Sequence, residues 1–449
     1  MTLQHSIVQY YLFRNCILWI SGISHQEVLF LCNKFYSCIF LQKQDYIHTN
    51  APIFRKDYTM KTIDGIYTSA KIFTTNNKLT DIDNYALQQL QMLCDNEASK
   101  GCVIRVMPDV HPGKVGTIGL TMTIGKKILP NLVGIDIGCG MTLGQIKARK
   151  IEFQKLDTVI RKNIPAGFSI RTKPHRFADN FDFSALHCHK NIQIRKALLS
   201  LGTLGGGNHF IEADTDEEGN LYIVIHSGSR HLGKEVTEYY LKEGQKYLKE
   251  HQINIPYELT YLEGELMEHY LHDLQVVQDF ATLNRNIILD ELTKGMKWKL
   301  IDTYTCIHNY VECSSTAHKT STDNQYPESK NHLHILRKGA ISALKNERVI
   351  IPINMRDGII LGTGLGNADW NYSAPHGAGR ILRRGDVKSN YTVSAFKSEM
   401  KGIYCSCINK DTLDEAPFVY RNIEDIADAI RDTVAINKVI RPIYNYKFS

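Results

Sequence analysis

Apolar positions change their period several times along this chain, and each change marks an element. Residues 84–98 (NYALQQLQMLCDNEA) place them three and four apart, which predicts a helix. Apolar runs broken by glycine follow in VIRVMPDV, TIGLTMTIG and NLVGIDIGCGMTLGQI, and these predict strands. A further strand, LYIVIH, ends in SGSR. From about 261 to 296, Leu, Met, Val and Ile return every three or four residues, the longest helical pattern in the chain. The polar stretch 314–331 (SSTAHKTSTDNQYPESKN) predicts an exposed loop. A second β-rich part, RVIIPINMRDGIILGTG, precedes a last predicted helix at 422–434 (NIEDIADAIRDTV) and a short tail ending IRPIYNYKFS. The alternation predicts a mixed α/β (α+β) architecture without internal repeats.

Composition adds little to that picture. With 449 residues, 43% hydrophobic and 22% charged, the chain can bury a large core, which excludes wholesale disorder. A net charge of +6 suits a polyanionic partner and equally suits many metabolic enzymes. Residues 1–59 differ in texture, being rich in aromatics, isoleucine and cysteine. Arg14, His25, Glu27 and Lys34 keep every run there well short of the roughly 20 apolar residues of a membrane span. The apolar stretch 16–20 is too short for a secretory leader and lacks an Ala-x-Ala site. The expected organisation is an N-terminal extension, 1–59, ahead of a single large catalytic domain, 60–449, soluble and cytoplasmic. The eleven cysteines show no framework spacing and no CxxC pair, which fits a reducing compartment. Cys405 and Cys407, in YCSC, are a weak metal signal.

Chemistry concentrates where histidine, cysteine and aspartate meet glycine at the ends of apolar runs. PDVHPGK holds Asp109, His111 and Lys114. GIDIGCGM sets Asp136 and Cys139 three residues apart, and a strand followed by a tight turn would bring both into one space. That oxygen and sulfur pair suits a borderline metal; alone it reads better as a structural cysteine beside a turn aspartate. LGTLGGGNHFIE offers Asn208, His209 and Glu212 behind a run of exposed N–H groups. VIHSGSR carries His226 and Arg230, and TCIHNY carries His308 and Asn309. Singly, each histidine reads as a hydrogen-bonded core residue; three at such positions beside Asp136 and Cys139 favour a metal site. SAPHGAGR puts His376 between small residues and Arg380, with room for a bulky phosphorylated adduct; a turn histidine bonded to backbone reads equally well. His187 and His189 (HCHK) and His332 and His334 (NHLH) have metal-like spacing but neither glycine nor carboxylate beside them, and read as surface or packing residues.

Taken together, PDVHPGK, DIGCGM, GTLGGGNHFIE, HSGSR, HNY, RKGA, HGAGR and DEAP resemble, in order, the RtcB family of tRNA-splicing and RNA-repair ligases, from about Met60 onward. The resemblance implies an RtcB-like catalytic domain acting on RNA ends with GTP and two manganese ions. It implies Asp136, Cys139, His209, His226 and His308 as the metal ligands, the Cys139 thiolate bridging both ions. It implies His376 as the histidine that takes GMP. Asn208, Glu212, Asn309, Gly377, Ala378, Gly379, Arg380 and Lys447 are implied as the guanylate pocket, with Asp109 near it. Two departures from the family pattern lie near that pocket: Ile353 and Asn354 stand where Gly-Ser is usual, and Arg383 where a serine is usual. Two other classes compete with the ligase. A two-metal phosphoesterase opening 2′,3′-cyclic phosphates would need the five ligands without His376. A silent RNA-binding protein would have no use for the ligand set, which is costly to bury without an ion.

Overall fold

The computed structural model describes residues 60–74, 82–312 and 334–448. The extension 1–59 and the loop expected at 314–331 lie outside them. The described residues belong to one compact unit, Tyr58–Ser449. No described helix is long and apolar enough to cross a membrane.

Two sheets organise the unit. The first has the order Lys61–Asp64, Ser69–Ile72, Ile104–His111, Ile118–Thr123, Ile335–Lys338, Asn309–Glu312. The second runs Lys299–Ile307, Gly140–Lys147, Leu221–Ser227, Phe210–Thr215, Val434–Lys447, Gly358–Gly364, Arg348–Asn354, with the short strand Tyr404–Cys405 pairing parallel to Val434–Lys447. Neighbours in the second sheet are otherwise antiparallel. Leu221–Ser227 explains why LYIVIH shows no polar alternation. Ile223 and Ile225 pack one face against the helix Phe153–Asn163 and the C-terminal half of the helix Gly264–Met296, while Tyr222 and Val224 pack the other face against Ile350, Ile359 and Ile440. A strand buried on both faces reads as a continuous apolar run.

The 33-residue helix Gly264–Met296 is the predicted long helix, and it pins the centre of the molecule. Arg285, fully buried on it, donates to the carbonyls of Gly138 (2.7 Å) and Ser227 (3.0 Å). Burial lowers its pKa to about 10. A guanidinium this deep stays because carbonyl oxygens take its protons.

Several sequence expectations change. The predicted helix at 422–434 stops after Ile423–Ala429, because Val434 pairs with Gly364. The supposed tail is the 14-residue strand Val434–Lys447, central to the second sheet. Asn437, Lys438 and Arg441 on its exposed stretch hid the pattern. The run NLVGIDIGCGMTLGQI is not strand throughout: a helical turn, Pro130–Val133, and a loop precede the strand Gly140–Lys147. The helix Asn84–Cys94 is shorter than its pattern and is capped by Asp83, whose side chain accepts from Tyr85 N–H.

Candidate active site

Asp136 and Cys139 sit on the loop before the strand Gly140–Lys147, so the turn precedes the strand rather than following it. The loop is held from three sides. Gly138 N–H donates to the Asn309 carbonyl (2.7 Å), Arg285 holds the Gly138 carbonyl, and His308 N–H donates to the Cys139 carbonyl (2.8 Å). His209 precedes the strand Phe210–Thr215, His226 lies in Leu221–Ser227, and His308 joins two strands, Lys299–Ile307 and Asn309–Glu312.

These five side chains meet. Asp136 Oδ2 is 3.1 Å from His209 Nε2. Cys139 Sγ is 3.3 Å from His209 Nε2 and 3.3 Å from His226 Nε2, which is 3.3 Å from His308 Nε2. They form two triads sharing the thiol, Asp136–Cys139–His209 and Cys139–His226–His308. The tautomers follow from the outer nitrogens. His209 Nδ1 donates to the Leu204 carbonyl (2.9 Å) and His226 Nδ1 to the Asn208 carbonyl (3.1 Å). A carbonyl can only accept, so both Nε2 atoms turn lone pairs inward. Burial above all, then nearby His209, holds His226 well below the usual imidazole range; burial and then His376 do the same to His308. Burial opposes ionisation of Asp136, but His209 outweighs it and holds the carboxyl well below its usual range. Lone pairs facing one another in a buried site repel unless a cation stands among them, and this donor set of imidazole, thiol and carboxylate fits borderline divalent metals. The single thiol is common to both triads.

His376 follows the strand Ser373–Pro375. Its Nδ1 is 2.7 Å from Oδ2 of Asp109, which is completely buried. The partner fixes the ring and leaves Nε2 for the cleft. The His376 and His308 rings lie 4.8 Å apart, so this histidine adjoins the metal triads. Gly379, at φ +72°, passes so close to the backbone of Asp109 that a Cβ there would stand 2.4 Å from its carbonyl oxygen. That glycine lets the His376 loop seat on the Asp109 strand.

A cleft with about 810 Å³ of atom-free space, open to solvent, joins the two centres. His226 and His308 line one part of it; His376, Gly377, Ala378, Gly379 and Arg380 line another, with Asn208, Glu212 and Lys447. Glu415 lines it too and gathers cations. Lys447 Nζ is 2.7 Å from Oε2, and Arg384 Nη2 (2.8 Å) and Arg380 Nη1 (3.3 Å) reach Oε1. Burial would raise the Glu415 carboxyl, but Lys447, Arg384 and Arg380 bring it down to about 2. Arg384 also pairs with Asp414. Three cations thus face two carboxylates, a net positive wall suited to a nucleotide anion. Deeper in, Glu212 lies by Asp214 in a fully buried pair. Burial raises both; Asp214 reaches about 7, and Glu212 is driven well above its usual range, with Asp214 adding to the burial effect.

The residues expected around the guanylate thus converge on the cleft, with two exceptions. Asn309 does not line the cleft: its side chain receives Gly339 N–H (2.9 Å) and donates to the Asp136 carbonyl (3.4 Å), bracing the metal loop. Asp109 reaches the cleft only through His376. Of the departures, Ile353 and Asn354 line the cleft, while Arg383 pairs with Asp83 (2.8 Å) in a neighbouring groove. The reading of single residues missed Arg285, Arg384, Glu415 and Asn445, which lines the cleft with its Nδ2 donating to the Met355 carbonyl (3.0 Å). Only Glu415 had a signal, inside DEAP.

Comparison with known proteins gives the family. The family model described as tRNA-splicing ligase RtcB matches residues 97–448. The chain belongs to the RtcB family. It is 29% identical over 374 residues to the RNA-splicing ligase RtcB of Escherichia coli strain K12, covering 76% of this chain and 88% of that protein. It is 26% identical over 446 residues to the tRNA-splicing ligase RtcB of Aeropyrum pernix, covering 80% and 91%. Every ligand-type residue described above lies inside the matched RtcB region.

Proposed function

We propose that this protein is a GTP-dependent RNA ligase that joins a 2′,3′-cyclic phosphate or 3′-phosphate end to a 5′-hydroxyl end, in RNA repair or tRNA splicing. The observation that carries this reading is the His376–Asp109 pair at 2.7 Å, in one cleft with two of the metal-ligand histidines. Asp136, Cys139, His209, His226 and His308 would hold two manganese ions, and bound ions would supply charge neutralisation for phosphate oxygens and orientation of the attacking group.

The chain's own residues do the rest. Asp109 accepts the Nδ1 proton and keeps the Nε2 lone pair of His376 toward the cleft. Nε2 attacks the α-phosphorus of GTP; a P–N bond forms and the P–O bond to pyrophosphate breaks. A 2′,3′-cyclic end is first opened by water, which adds to phosphorus as the P–O2′ bond breaks and leaves a 2′-hydroxyl and a 3′-phosphate; an oxygen of the RNA 3′-phosphate then attacks the GMP phosphorus, the P–N bond breaks, and His376 is regenerated. Finally the 5′-hydroxyl oxygen attacks the activated 3′-phosphorus, GMP leaves, and a phosphodiester remains. Lys447, Arg380 and Arg384 face the nucleotide phosphates; a neutral Glu212 can donate a hydrogen bond to the base.

Incubation with α-labelled GTP and manganese should label the protein with an acid-labile, base-stable adduct, absent from His376→Ala and retained in His189→Ala. Matched oligonucleotides of the two end polarities complete the test. Joining of only the 5′-phosphate and 3′-hydroxyl pair would sink the reading. Cyclic ends opened but never joined would favour the phosphoesterase.

A further inference from the structure

A second group of histidines lies outside the cleft. His269 and His272 stand one turn apart on the helix Gly264–Met296. His187 comes to them from the loop after the short helical turn Phe183–Ala185. Its ring stacks on His269 with centroids 4.0 Å apart and meets His272 edge-on at 4.8 Å. A ring nitrogen of His187, one of His272 and a carboxylate oxygen of Asp273 all lie within 4.8 Å of one another.

Asp273 explains how the group is held. It is completely buried and accepts from four donors: His187 N–H (2.8 Å), Cys188 N–H (3.1 Å), the Tyr240 hydroxyl (2.8 Å) and His272 Nδ1 (3.2 Å). One carboxylate therefore fixes the His187 loop and the His272 tautomer together, leaving His272 Nε2 with its lone pair outward. A carboxylate on the far nitrogen of an imidazole is the arrangement that orients metal-bound histidines. A packing role would bury the rings, yet His187 is exposed and the His272 side chain is half exposed. His269, stacked on His187, must turn its ring out of the stack for its nitrogen to join those of His187 and His272 at one point. The fourth position has a candidate in Glu265, whose Oε1 is 3.7 Å from His269 Nε2.

We propose that His187, His269 and His272 bind one divalent ion of the zinc class, with Asp273 as the positioning carboxylate. Imidazole donors select zinc, copper or nickel over magnesium or calcium. The ion would tie the 187–191 loop to the long helix. It would be separate from the catalytic pair: Gln278, Ala281 and Arg285, the helix residues that meet Gly138, lie at least about 9 Å further along the axis at 1.5 Å per residue.

Zinc alone is the probe, titrated calorimetrically into full-length protein carrying Cys139→Ala, His209→Ala and His308→Ala together, which leaves each catalytic triad a single donor. One saturable equivalent should remain, and adding His272→Ala or His187→Ala should weaken it at least tenfold. Adding His189→Ala, whose Nδ1 is already committed to the Leu186 carbonyl, should leave it unchanged. If that triple variant fails to fold, the same comparison is made in the native chain, where His272→Ala should bind one zinc fewer. Equal stoichiometry and affinity with and without His187 or His272, or no zinc bound once the catalytic donors are removed, would overturn the proposal. Ligation by His272→Ala should persist, so this result is separable from the ligase reading.

Discussion

Asp109 is buried completely, and one of its oxygens accepts a hydrogen bond from His376 Nδ1–H while the other has no hydrogen-bond partner among the described residues. That carboxylate positions the imidazole and stabilises the positive charge the ring acquires as Nε2 bonds to phosphorus. Asp109→Asn would present an amide that favours the wrong tautomer when its N–H faces the ring. Adduct formation should slow by roughly 100-fold or more while metal content stays at the wild-type value. Unchanged adduct kinetics would show that Asp109 is only a packing residue. The Glu212–Asp214 pair makes a different prediction, about pH. Asp214 titrates near 7 in the fold, above the roughly 3.9 of an unfolded aspartate. A raised value means stability that is whole below the unfolded pKa and lost as pH rises through the folded one. Asp214→Asn removes that loss. The melting temperature of the variant minus that of wild type should therefore grow by about 2–5 °C between pH 4 and pH 8. A difference independent of pH would contradict the buried-acid account.

The elements converge on the metal loop through close approach as much as through side chains. A Cβ on Gly228 would stand 2.0 Å from Asp136 Oδ1 and 2.7 Å from its Cγ. Gly228→Ala must push Asp136 out of its triad, while the Cys139–His226–His308 triad keeps its donors. Metal analysis should find bound manganese fall from two equivalents to one, with adduct formation lost. Gly385→Ala, with nothing within 4 Å of its Cβ, is the control that should keep both ions. Retention of two equivalents in Gly228→Ala would remove Asp136 from the site. This scale is also where the sequence was hardest to read. Ligand-type residues beside glycine were legible, because strained loops and unusual donors leave local marks at Asp136, Cys139, His209 and His376. Arg285 left none: an arginine in the middle of a helical pattern looks like a solvated face until tertiary packing buries it. Lys447 was implied by the family resemblance, yet its strand was read as a tail, because Asn437, Lys438 and Arg441 are exposed and break the apolar signal. Likewise His187 had metal-like spacing but its partners, His269 and His272, lie about 80 residues away and meet it only in the fold.

At the scale of the whole molecule, the question is how much chain the site requires. Its residues span Asp109 to Lys447, and the family match begins at residue 97. The scaffold begins earlier. Lys61–Asp64 and Ser69–Ile72 form the outer strands of the first sheet, with Ser69–Ile72 pairing parallel to Ile104–His111, the strand that carries Asp109. Ala70 and Ile72 are fully buried against that strand, in the core that also holds Leu90 and Ile104. Removing them would uncover apolar surface and leave an unpaired edge beside Asp109. A protein starting at Met60 keeps these strands, whereas one starting at residue 82 lacks them. The first should therefore fold with wild-type cooperativity and form the His376 adduct at the full rate. The second should aggregate, or lose adduct formation together with the Asp109–His376 contact. Thermal denaturation and GTP labelling of the two truncations, side by side, check this. If the Met60 protein is already unfolded or inactive, residues 1–59 are integral to the catalytic unit. If the protein starting at residue 82 is fully active, the first sheet's outer strands are dispensable, and His376 must be positioned without the support inferred for them here.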